Sequence, residues 1–183
     1  MTTTALLNAG ETLGDRIMKV DHVGEHGAVC IYRAQRWFAR WTAPDMVAEL
    51  DSFLAHERRH RARFGAELQR RGRRRCRSYF LCGFGGFVLG AFTGMLGRRP
   101  IAATTVAIET VVLRHMREQI ETLQGQDEAA AGTLSEIMAD EEEHHELSQA
   151  WLAPPGPWPR LITPIVGLST ELVIWSGMRF RFL

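Results

Sequence analysis

Little in this chain supports a disulfide framework, a secreted product or a β-sheet. Cysteine is scarce: Cys30, Cys76 and Cys82 are three in number and form no Cys-x-x-Cys. An odd, dispersed set excludes a disulfide scaffold and a zinc ribbon and fits a reducing compartment. Residues Met1 to Gly10 lack the basic start and apolar core of a secretory signal, so the chain is expected in the cytoplasm. No segment alternates apolar and polar residues with period two, which leaves an all-α class. Net charge is lacking too: 22 basic against 21 acidic residues give +1. That argues against a nucleic-acid partner held by bulk electrostatics. A length of 183 residues at 45% hydrophobic content allows one domain, 1–183, with a buried core.

What is present is a duplicated pattern of acid and imidazole. Glu25 is followed by Glu57-Arg58-Arg59-His60, and Glu109 by Glu141-Glu142-Glu143-His144. The gap from the lone Glu to the Glu-x-x-His is 32 residues in both halves (57 − 25 and 141 − 109). Glu and His three apart on a helix point the same way, so one helix supplies both. A lone Glu on one helix and Glu-x-x-His on the next, given twice, is the ligand set of a carboxylate-bridged di-iron four-helix bundle. Hard carboxylates with two imidazoles suit iron or manganese. An offset of 84 also maps Arg33 to Arg117, Gln35 to Gln119, Leu50 to Leu134 and Leu54 to Met138. Glu142 and His145 form a rival Glu-x-x-His one residue along, but the 32-residue symmetry favours Glu141 and His144.

Apolar periodicity places bundle helices at about Glu11 to Trp41, Asp45 to Arg71, Ile101 to Gln124 and Asp127 to Ala150, a bundle spanning about 11–150. Two apolar segments lie outside that minimal set. Tyr79 to Gly97 runs 19 residues without a charge and carries six glycines, at 83, 85, 86, 90, 94 and 97. Its length permits a membrane span. A buried crossover helix and an interfacial helix are the other readings. A span would carry the third bundle helix across the membrane, away from its metal partners, so 79–97 is expected to lie in the interface. The preceding run Arg70, Arg71, Arg73, Arg74, Arg75 and Arg77 suits anionic headgroups beside such a helix, or is an ordinary solvated helix end. The second segment, about 160–182, follows Pro154-Pro155-Gly156-Pro157. It places Trp158, Trp175, Phe180 and Phe182 beside Arg179 and Arg181, which suits a membrane interface or a fifth helix covering the bundle.

The stretch from Val20 through Asp21, His22, Gly24, Glu25 and Gly27 to Ala28, then Ile31-Tyr32-Arg33-Ala34-Gln35, closely resembles the signature of the demethoxyubiquinone hydroxylases. Further matches are His56-Glu57-Arg58-Arg59-His60, Gly86 to Ala91, Thr105 to Glu109, His115 with Gln119-Ile120, and Asp140 to His145. Three features depart from the pattern. The family's prolines are missing from Gly72 to Arg77, Met116 stands where the family often has Tyr, and His26 stands where the family often has a different residue. The resemblance implies a ferritin-like fold. It also implies a monooxygenase of ubiquinone biosynthesis with two Fe ions, O2 as co-substrate and an unidentified reductant for which NADH is a candidate. The implied substrate is 6-methoxy-3-methyl-2-polyprenylbenzoquinol. Its tail is nearly insoluble in water, which gives an exposed apolar helix a purpose. The implied site is peripheral, on the cytoplasmic face of the inner membrane in a bacterium, with a homo-oligomer or a lipid-binding protein as candidate partner.

Glu25, Glu57, His60, Glu109, Glu141 and His144 are thus the expected metal ligands and reaction centre. Around them, Asp21 is a candidate partner for a ligand histidine. His115 is either a contact to a ligand or substrate or a polar residue at a helix interface. Tyr32 is either a further contact or core packing. Two other readings keep the ligand set: a di-iron hydroxylase of modified tRNA, and iron storage or peroxide protection without an organic substrate.

Overall fold

The computed structural model describes residues 5–154 and 156–180. Arg181 and Phe182, grouped above with the interfacial aromatics, lie outside the described residues. Within them all regular structure is helical. The helices are α1 (Leu13–Thr42), α2 (Val47–Arg70), α3 (Tyr79–Leu96), α4 (Arg98–Leu123), α5 (Glu128–Ala150) and α6 (Pro157–Arg179). The four expected bundle helices are α1, α2, α4 and α5, each end within three residues of its sequence-based position.

Local chemistry sets the boundaries. Thr12 caps α1 in a reciprocal box with Asp15, and Asp127 caps α5 by accepting from the Ala130 amide. Pro44 opens a single 3-10 turn, Pro44–Met46, between α1 and α2. Gly97 alone separates α3 from α4, and its φ of 94° is a conformation that a side chain resists.

Contacts between side chains fix the directions. Arg36 on Asp51 and Arg61 on His26 make α2 antiparallel to α1. Tyr32 on Glu109 and Gln119 on Asp21 make α4 antiparallel to α1. Trp151 on Glu49 and Arg63 on Glu136 make α5 antiparallel to α2. Helices α2 and α4 therefore start from the same end of the bundle. The long return between them is α3. A Cβ on Gly86 would come 2.4 Å from the Gly27 carbonyl, on Gly90 2.3 Å from the Ile31 carbonyl, and on Gly94 3.0 Å from Gln35 Cα. These rising pairs show α3 running parallel to α1 in near backbone contact. The glycines are what allow that approach, and they leave Phe80, Phe84, Phe87 and Phe92 facing outward.

The core is split. One cluster packs Met46, Leu50, Phe53 and Ile101; the other packs Ile17, Phe64, Met116, Leu123 and Leu134. Fully buried side chains of this size stabilise the fold by about 1.5–3 kcal/mol each. The duplicated acidic residues lie between the two clusters. Helix α6 packs on α4 through Ile162 and Val166, and its C-terminal end is held by Arg16. That buried guanidinium donates to the Gly177 and Phe180 carbonyls and to Glu11.

Candidate metal centre

Helical spacing brings Glu57 and His60 of α2, and Glu141 and His144 of α5, to the bundle axis, where Glu25 of α1 and Glu109 of α4 meet them. All six side chains are buried. Their donor atoms form two groups: Glu25, Glu57, His60 and Glu141; and Glu57, Glu109, Glu141 and His144. Within each group one atom per residue lies within 4.8 Å of all the others. Glu57 and Glu141 belong to both groups, so the geometry sorts six equivalent-looking candidates into two shared carboxylates and two terminal Glu–His pairs.

The rival pair faces outward. Glu142 is exposed and accepts from Arg117 at 2.8 Å. His145 lies 3.3 Å from the Thr110 hydroxyl.

The donor set fits two divalent cations. Glu25 Oε2, Glu57 Oε1, His60 Nδ1 and His144 Nδ1 are buried atoms without a hydrogen-bond partner, and all belong to these groups. Buried polar atoms are rarely left so. His60 Nδ1 lies 2.9 Å from Glu141 and 3.6 Å from Glu25; His144 Nδ1 lies 3.4 Å from both Glu57 and Glu141. Burial, reinforced by the Glu141 charge, pushes Glu25, Glu57 and Glu109 well above the ordinary carboxylate range. Burial works against the charge of Glu141 as well, but the imidazoles of His144 and His60 beside it outweigh that and hold the carboxyl at about 2. Burial likewise opposes a charged His144, yet Glu141 and Glu57 push it up to about 11. Protons thus gather where cations would. Two divalent ions would neutralise the four carboxylates and leave both imidazoles neutral as ligands.

A second ring of side chains fixes these groups. The Tyr32 hydroxyl donates to Glu109 Oε1 at 3.0 Å, which gives Tyr32 a role beyond core packing. Asp140 accepts from His60 Nε2 at 2.9 Å, leaving Nδ1 for the centre. His56 Nδ1 lies 3.1 Å from His144 Nε2 and does the same for the other half. The arrangement is crossed: the residue before the Glu of each Glu-x-x-His holds the histidine of the opposite half. Such contacts orient metal-bound imidazoles. Sequence reasoning missed both residues. The 84-residue offset does pair His56 with Asp140, and that was the signal available.

Asp21 and His115 stand elsewhere. Asp21 accepts from Gln119 at 3.4 Å and bonds to no ligand histidine; Asp140 and His56 hold those positions. His115 meets Glu171 of α6 at 2.9 Å and touches no ligand. Both residues line a cavity of about 540 Å³ that also reaches Glu25, Glu57, Glu109 and Glu141. The cavity continues between α3 and α6, where Leu81, Leu89, Val173 and Ile174 form its wall.

Comparisons with known proteins agree with this site. The chain is 31% identical over 165 residues to the 3-demethoxyubiquinol 3-hydroxylase of Rhodospirillum rubrum, covering 90% of this chain and 77% of that one. It is 33% identical over 176 residues to the mitochondrial NADPH-dependent 3-demethoxyubiquinone 3-hydroxylase of Homo sapiens, covering 94% and 80% of the two chains. The corresponding protein of Dictyostelium discoideum is 28% identical over 169 residues, covering 90% and 76%. The family model described as ubiquinone biosynthesis protein COQ7 matches residues 12–177. That match takes in all four helices that converge on the buried carboxylates, as well as α3 and nearly all of α6, and the chain belongs to the COQ7 family.

Proposed function

We propose that this chain is a di-iron monooxygenase that uses O2 to hydroxylate the ring of a polyprenyl demethoxybenzoquinol in ubiquinone biosynthesis, while docked on a membrane surface. One observation carries the reading. A single cavity joins the buried carboxylates to an apolar mouth between α3 and α6. A ring with an insoluble tail fits that shape: the ring reaches the carboxylates and the tail leaves along Leu81, Leu89 and Val173. Iron storage needs no such route, and neither does a tRNA substrate. The activities named for the similar proteins of Rhodospirillum rubrum and Homo sapiens support the same reaction, and the human name supports a nicotinamide reductant.

In this reading Glu25 and His60 would hold one iron and Glu109 and His144 the other, with Glu57 and Glu141 available to both. An iron pair held there and kept reduced by the external reductant would supply the two electrons that let one oxygen atom of O2 enter a ring C–H bond while the other, with two protons, leaves as water. The protein's part is positioning. Tyr32 fixes Glu109, Asp140 fixes His60, and His56 fixes His144. The apolar wall excludes bulk water from the ring.

Membrane docking rests on α3 and α6 together. Both are long and apolar enough to cross a membrane by length and composition. Yet α3 lies against α1 along its glycine face, which leaves its aromatic face for lipid. Leu161, Ile165, Leu168 and Leu172 give α6 a matching exposed face, and both helices line the cavity mouth. The arginine run divides. Arg70 pairs with Glu67 within α2, while Arg71 on Asp127 and Arg73 on Asp15 tie the end of α2 to the starts of α5 and α1. Arg74, Arg75 and Arg77 are exposed, and although Arg75 lies over the Tyr79 and Phe80 rings all three charges remain for headgroups. In a bacterium this is a peripheral site on the cytoplasmic face of the inner membrane, with α3 and α6 forming one unit with the bundle.

The test is turnover by the iron-loaded full chain in lipid vesicles, with a chemical reductant and ¹⁸O₂. A product carrying one ¹⁸O on the ring is expected. Absence of product from protein shown to hold two irons, with reductant and substrate present, would overturn the reading.

A further inference from the structure

The buried centre has two unlike sides. Toward α3 and α6 it meets the cavity, whose wall includes Leu81, Leu89 and Val173. A dication entering there would lose water against apolar carbon, which is costly. Toward the α2–α5 face a polar series leads outward, with side-chain exposure rising along it. His144 is 0% exposed and His60 4%, His56 behind them is 15% and Asp140 30%, and Glu143 lies at the surface. The last three form a further donor group: one atom each of His56, Asp140 and Glu143 lies within 4.8 Å of the other two. A first-row dication holds nitrogen and oxygen ligands at about 2.0–2.2 Å, so this group closes around one ion with only a slight contraction.

Each member has capacity left for an ion. Among the described residues Glu143 forms no hydrogen bond or ion pair. Asp140 meets His60 and Arg59 through Oδ2 and turns Oδ1 toward His56, whose Nδ1 is 3.8 Å away. His56 meets His144 Nε2 through that same Nδ1, at 3.1 Å. A His144 ring that offers Nδ1 to the centre carries its proton on Nε2, so His56 Nδ1 faces it with a lone pair. On the reading of the buried group as a two-metal centre, we propose that His56, Asp140 and Glu143 form an outer site that takes a ferrous ion from solution and passes it inward. The ion is held by the Glu143 carboxylate, Asp140 Oδ1 and the His56 lone pair, and keeps water on its open side. Taking that lone pair frees the His144 ring to turn toward the ion. Once the ion reaches His144 Nδ1 and the shared carboxylates, the contact between His56 and His144 re-forms behind it and closes the entry. Asp140 holds His60 throughout, because the two tasks use different oxygens.

The test is the rate of iron uptake by the metal-free full chain in lipid nanodiscs under argon. Fe²⁺ is added over a range of concentrations at fixed ionic strength. Excess ferrous chelator stops uptake at set times, and the iron that stays with the protein is counted. The native chain should show a rate that saturates with Fe²⁺, as binding before transfer requires, and should end at two irons. Glu143→Gln removes one charged ligand of three and should raise the half-saturating concentration at least about fivefold, with the same final two irons. Glu143→Asp should recover most of the native behaviour. Glu142→Gln removes the same charge one residue earlier, from a side chain that meets Arg117, and should load like the native chain. Circular dichroism confirms that each variant is folded. Unchanged uptake by Glu143→Gln, equal slowing by Glu142→Gln, or a native rate that never saturates would overturn the outer site while the centre stands. A native chain that never reaches two irons would overturn both.

Discussion

Among single residues, Glu57 and Glu141 stand apart from the other four members of the centre. Each belongs to both groups of donor atoms, whereas Glu25 with His60 and Glu109 with His144 belong to one group apiece. Removing a shared carboxylate would therefore affect both of two bound cations, and removing a terminal one would affect its own. Iron analysis after ferrous reconstitution should find two irons per chain, close to none in Glu57→Ala or Glu141→Ala, and about one in Glu25→Ala or Glu109→Ala. Glu142→Ala should keep both irons, since that side chain only meets Arg117 at the surface. Retention of two irons by Glu57→Ala and their loss from Glu142→Ala would show the repeat to have been misaligned.

Among elements, α3 has two unlike faces. Gly83, Gly86, Gly90 and Gly94 are buried, three of them directly against the α1 backbone, while Phe84 is 67% exposed, Phe87 50% and Phe92 56%. Leu89 belongs to neither set, because it packs on the core and lines the cavity. Phe84→Ser, Phe87→Ser and Phe92→Ser together should release most of the protein from anionic vesicles in a flotation assay and leave iron content and helicity unchanged. High salt should weaken binding by the native chain without abolishing it, because Arg74, Arg75 and Arg77 contribute a screened attraction beside the apolar one. Undiminished vesicle binding by the folded triple variant would move the docking surface to α6.

In the whole molecule, the buried centre links fold stability to pH. In the metal-free chain burial keeps Glu25, Glu57 and Glu109 protonated well above the ordinary carboxylate range, and His144 holds its proton up to about 11. Unfolded, these carboxyls ionise near 4.5 and the imidazole near 6.5. Between about pH 7 and 9 the folded chain therefore binds more protons than the unfolded chain, and its stability falls as pH rises. The carboxyls with lowered values, such as the paired Glu11 and Asp15, titrate below that window in both states, and the lowered histidines His22, His26, His56 and His115 lose only the last fraction of their unfolded-state protons at its lower edge. A chelated sample should show a Tm that drops from pH 7 to 9. The metal-loaded protein should show a flat or rising Tm, because cations replace the protons. A chelated sample whose Tm rises across that window would contradict the burial of these groups.

The sequence by itself determined which residues meet at the centre, because that rests on local geometry. A three-residue step on a helix aims Glu57 and His60, or Glu141 and His144, the same way, and equal 32-residue gaps return each pair to the level of its partner Glu. The bundle helices were legible for the same reason, as was the conflict between a membrane span and one shared centre. Only the tertiary structure decided which carboxylates are shared, that Asp140 and His56 cross to the opposite histidines, and that Asp21, Gln119 and His115 belong to the cavity wall instead of the centre. It also decided that the glycines of α3 face α1. These outcomes depend on how helices about 60–100 positions apart in the chain are rotated and spaced against one another, which ridge-and-groove packing sets and periodicity along a single helix does not.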